Sequence, residues 1–69
     1  MAKMTANDVM PGQRFQQQKA GFVWTVNRLI TFPGEDVQHV QLINDRDQSS
    51  TKTVSLDALL DRTLFRLVV

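Results

Sequence analysis

The chain has no cysteine, only three glycines and two prolines, and no long run of apolar residues. The first absence removes disulfides, thiolate nucleophiles and cysteine-based zinc sites. With no apolar stretch of about 18 residues, no membrane-spanning helix is expected. Nor does Met1–Met10 read as a secretory leader, because it lacks a continuous apolar centre. Charge of one sign is scarce too. Eight basic residues face seven acidic ones, for a net charge of +1, which excludes the strongly basic arm that coats nucleic acid.

What remains is 69 residues, 42% of them hydrophobic. That fits one small globular domain and a cytoplasmic protein. A domain this small buries only about 60–65% of the surface its unfolded chain exposes. Almost every large apolar side chain is therefore needed in the core, and self-association is the other route to burial. Charge is uneven along the chain. Residues 1–30 sum to +3 and residues 31–61 to −4, although a fold can interleave the two.

Hydrophobic periodicity of two dominates. Residues 1–10 read as a flexible leader or a short first turn, and 11–69 as a single small β-barrel domain. Pro11-Gly12 signals a turn into a first strand at Arg14 and Phe15. Gln16–Gly21 reads as a polar loop. From Gly21 to Ile30, β-branched and aromatic residues mark the strongest strand, with Phe22, Trp24 and Val26 on its buried face. Arg28 and Ile30 break that alternation, so a bulge or sharp twist is expected near Asn27.

Pro33-Gly34 centres a type II turn. Val37–Ile43 alternates again, with Val40 and Leu42 inward. The polar stretch 44–50 leads to a short strand at 51–54, with Val54 inward. Ser55 is suited to cap a helical turn over 56–61, where Leu56, Leu59 and Leu60 share a face and Asp57 complements the first turn. A last strand, 64–69, places Phe65, Leu67 and Val69 on one side. Five short strands around one core curl into a closed or partly closed barrel. The one-turn helix before the last strand resembles the punctuation of SH3-like barrels. The resemblance is architectural and rests on no family motif. The expected class is thus all-β, a five-stranded SH3-like barrel, with a four-stranded curved sheet capped by the helix as the alternative.

Chemistry-bearing patterns are sparse. His39 is the only histidine and supplies one ligand where zinc takes about four. Asp45, Asp47 and Ser49 alternate as in a calcium loop, yet that loop's glycine and closing glutamate are missing. Serines 49, 50 and 55 sit in turn or cap settings with no nucleophile elbow. Asp57 and Asp61 read as a solvated helix edge. No metal, cofactor or catalysis is expected. The expected role is a non-enzymatic protein-binding module that presents the loops 16–21, 31–36 and 44–50 as its contact face.

Phe32, Arg28, Lys19, Arg46, Lys52 and Trp24 form the candidate contact set. Trp24 reads either as a stacking or anchoring surface aromatic or as core, and its shared face with Phe22 and Val26 favours the core. Two alternatives stand beside this reading. Basic side chains with aromatic platforms would suit RNA or single-stranded DNA, although Glu35, Asp36, Asp45 and Asp47 oppose phosphate. Pairing through 64–69 would make a homodimer.

Overall fold

The computed structural model describes Met4–Val68. Val69, expected on the inner face of the last strand, lies outside the described residues, as do Met1–Lys3 of the expected leader. Five antiparallel strands form one sheet in the order β4-β3-β2-β1-β5. They are β1 (Arg14–Gln17), β2 (Val23–Thr31), β3 (Gln38–Asn44), β4 (Thr51–Ser55) and β5 (Phe65–Val68), with helix α1 (Leu56–Leu60) between β4 and β5. The sheet curls into an open half-barrel. Its two edge strands are β4 and β5. Among the described residues no ladder joins them, and α1 packs against both.

Strand β2 makes the curl. Its ladder with β3 pairs Trp24 with Asn44 and Val26 with Leu42, then skips Asn27 and resumes at Arg28 with Gln41. The expected bulge is therefore present where the alternation broke down. Because side chains alternate faces, one extra residue reverses the inward parity. Trp24 and Val26 point inward before the bulge, and Leu29, opposite Val40, takes that side after it. The Asn27 side chain donates to Gln41 Oε1 at 2.8 Å on the outer face.

The inner face collects Phe15, Trp24, Val26, Val40, Leu42 and Phe65, and α1 closes it with Leu56 and Leu59. Val40 and Leu42 are fully buried, as their alternation required. Val54, Leu60 and Leu67 pack at the margin. Ser55 Oγ accepts the Ala58 amide at 3.1 Å, so the expected cap forms and starts the helix as β4 ends.

Three differences from the sequence reading stand out. The first strand runs on through Gln16 and Gln17, because both pair with β5 and Gln16 also pairs with Val23. Residues 4–10 carry the short turn that was one of the two expected alternatives, a 3₁₀ turn at Ala6–Asp8 closed by reciprocal bonds between Thr5 and Asp8, and the difference is that Val9 enters the core. Phe22 was expected on the buried face, yet it is 46% exposed. It lies one residue beyond the last β1–β2 pair, in the turn that Gln17 N–H closes on its carbonyl.

These burials set a stability contrast. Leu42→Ala should lower the unfolding free energy by about 2–5 kcal/mol, whereas Phe22→Ala should stay within about 0.5 kcal/mol of wild type. Urea unfolding followed by tryptophan fluorescence reads both.

Candidate functional site

In an antiparallel meander, successive turns alternate between the two ends of the sheet. The β1–β2 turn and the β3–β4 turn therefore share one end, and the β2–β3 turn lies at the other. The three expected contact loops consequently do not form one face. Loops 16–21 and 44–50 come together, and loop 31–36 stands apart.

Where the two loops meet, Arg14, Ala20, Gly21, Phe22, Val23, Asp45 and Arg46 line an open cleft of about 420 Å³. Backbone bonds hold its walls. Gln17 N–H donates to Phe22 O at 2.7 Å and Gly21 N–H to Gln17 O at 2.8 Å, which closes the β1–β2 turn. Gly21 has φ +78°, a value that a side chain would strain. On the other wall, Asp45 N–H donates to Val23 O at 3.0 Å and ties the β3–β4 turn to the start of β2. Asn44, itself buried, accepts the Arg46 amide on its side-chain oxygen at 2.8 Å. The Asp47 carboxylate takes the Ser49 amide and hydroxyl at 3.1 and 2.6 Å, which fixes the rest of the turn.

The electrostatics of the cleft centre on Asp45. Its carboxylate accepts from the Thr25 hydroxyl and from Arg14 Nε, the latter at 2.8 Å. The Thr25 hydrogen bond holds the Asp45 carboxyl below the usual carboxylate range. Partial burial opposes this, and Arg14 adds to the lowering by hydrogen bond and charge. Arg14 and Asp45 thus largely neutralise each other. Among the described residues theirs is the ion pair within salt-bridge distance, and the exposed Arg46 beside it has no such partner.

The six sequence candidates scatter. Arg46 lines the cleft, and Lys19 is exposed in the neighbouring β1–β2 turn. Arg28 is exposed on the outer face just past the bulge, opposite Gln41. Phe32 is 39% exposed at the far end, its ring edge-on to His39 at 4.9 Å between centroids. Trp24 is buried, with 5% exposure, and its indole N–H donates to Gln17 Oε1 at 3.1 Å. Lys52 is half-buried over the same ring, its Nζ 4.9 Å from the centroid. Trp24 and Lys52 therefore satisfy each other on the inner face.

Sequence reasoning missed Phe22, Arg14 and Asp45 as members of one site. The signal for Phe22 was Gly21, which marks the end of a turn and thus a rim position. Nothing local links Arg14 to Asp45, 31 residues apart. Among the described residues no group of three His, Asp or Glu side chains converges to hold a metal ion. No protein-family model, curated protein or solved structure matches this chain.

The Asp45 network gives a pH prediction. A carboxyl whose pKa is lowered by folding contributes stability that is present above its unfolded-state value and is lost as pH falls through the folded one. Wild type should exceed Asp45→Asn in urea midpoint at neutral pH, with the margin vanishing progressively below about pH 4. Thr25→Val, which removes the largest contribution, should leave a smaller margin over the same range.

Proposed function

We propose that this chain is a small non-enzymatic binding module of the SH3-like barrel type, acting in the cytoplasm on a protein partner through the cleft between the β1–β2 and β3–β4 turns. Support for the barrel type comes from the strand order, with β5 beside β1 and a one-turn helix between β4 and β5. The observation that carries the binding reading is the presence of an exposed aromatic, Phe22, and of Arg46, which has no salt-bridge partner among the described residues, on the lining of one cleft. Aromatic and arginine side chains on a rigid rim are the common anchors of protein interfaces. Here the rim is rigid because each turn is bonded back to a strand.

The Arg14–Asp45 pair shapes the cleft floor without dominating its charge. Phe22 would bury in an apolar recess of the partner, and Arg46 would meet a carboxylate. A nucleic-acid reading has less support. The chain's one tryptophan and the basic residue above it are engaged with each other inside the half-barrel, and Asp45 and Asp47 flank Arg46.

The test is capture from the native cell by the immobilised chain, run with and without nuclease. Phe22→Ser and Arg46→Glu should each weaken retention of the captured protein by about tenfold or more, and Phe32→Ser, at the opposite end, should not. Retention should survive nuclease and moderate salt. Capture that nuclease abolishes and salt steeply weakens would transfer the cleft to nucleic acid. Capture untouched by either cleft variant would sink the reading.

A further inference from the structure

We propose that the outer face of the sheet is a second docking surface, on which Arg66, Arg14 and Arg28 hold an extended acidic peptide segment of a partner protein by carboxylates at alternate positions. This goes beyond the cleft reading, with which it shares only Arg14, and it rests on the strand register. Residues directly opposite in an antiparallel ladder share a face. Arg66 stands opposite Gln16, Arg14 opposite both Val68 and Thr25, and Arg28 opposite Gln41. All of these lie on the side away from Phe15, Trp24 and Val40. Arg14 is one strand across and two residues along from Arg66. Thr25, beside Arg14, pairs with Ile43, so Arg28 is again one strand across and two ladder positions along. Strands lie about 4.8 Å apart and rise about 3.4 Å per residue, so each step is about 8 Å. Both steps run in the same direction, and the three arginines form one diagonal row across β5, β1 and β2.

The charge on this face has one sign almost throughout. None of the five strands contains an aspartate or glutamate. Arg28 and Arg66 are exposed and have no salt-bridge partner among the described residues. Arg14 meets Asp45 through Nε, and no other hydrogen bond among the described residues engages its two terminal nitrogens. Three guanidiniums therefore stand against one carboxylate. The next point on the diagonal is His39, opposite Ile30. It is half-buried with the Phe32 ring edge-on to it, so the exposed row is three cations long.

That row selects its occupant by spacing and chemistry. Side chains on one side of an extended peptide recur every 6.8 Å or about that, and the flexible arginine stems absorb the difference from the 8 Å or so between guanidinium sites. A guanidinium fork takes a carboxylate by two parallel bonds. Single-stranded nucleic acid needs aromatic platforms for its bases, yet Phe15, Trp24 and Phe65 all point into the core. Duplex nucleic acid is read by elements that enter its grooves, which the convex outside of a half-barrel does not do.

Fluorescence anisotropy of a labelled Glu-Thr-Glu-Thr-Glu peptide titrated with the full chain at low salt tests this, with circular dichroism to confirm folding of each variant. The peptide should bind, and more weakly as salt rises. Arg28→Gln and Arg66→Gln should each weaken it by about fivefold, and Arg62→Gln, in the turn before β5, should not. A Glu-Glu-Glu-Thr-Thr peptide of the same composition should bind less well. Phe22→Ser should bind the alternating peptide as wild type does, so failure here and failure of the cleft reading are read separately. No binding of the alternating peptide would overturn the proposal. So would equal affinity for the contiguous peptide, or binding indifferent to Arg28→Gln and Arg66→Gln. A thymidine oligonucleotide that binds more tightly than the peptide through the same arginines would overturn it too, and assign the face to phosphate.

Discussion

The bulge at Asn27 is the constraint on which the rest of this small structure depends. A nine-residue strand with unbroken alternation would present one parity to the core along its whole length. Here the parity changes midway. The first half gives Trp24 and Val26 to the inner face, and the second gives Leu29 opposite Val40. Without the shift, Arg28 and Ile30 would take the inward side and Leu29 would face solvent. The added twist also bends the sheet, and α1 packs against both β4 and β5 over the shared core.

That core then decides which polar groups remain free. Trp24 is too large to leave outside a core with so few aromatics, and its indole nitrogen needs a partner once buried. Gln17 supplies the acceptor, and Lys52 lies over the ring face. Two side chains with recognition chemistry are thereby used in holding the fold. At the rim the balance runs the other way. Phe22 sits past the last β1–β2 pair and is 46% exposed, and Asp45 is drawn onto Thr25 and Arg14, which leaves Arg46 on the same cleft as an exposed aromatic. The cleft is thus a consequence of where the ladders stop.

Much of the architecture was legible because periodicity reports burial directly. Val40 and Leu42, the hairpin around 44–50, the Ser55 cap and the disturbance at Asn27 follow from alternation and local hydrogen-bonding chemistry, each set by neighbours a few residues away. The separation of loop 31–36 from the other two was legible in principle, since turns of a meander must alternate ends. Phe22 was misplaced because period two assigns a face without saying whether any element covers it.

The sequence by itself determined the approximate positions of β2 to β5 and of the helical turn, the inward residues of β3, and the need for a break in β2, because these depend on side-chain alternation and on bonds within a turn. Only the tertiary structure decided that β1 pairs with both β2 and β5, that Lys52 rests on Trp24, that Arg14 reaches Asp45, and that the sheet ends at two open edges. Those are meetings between residues far apart along the chain. They are selected by how the whole sheet closes over its core, and no local pattern encodes the distance between them.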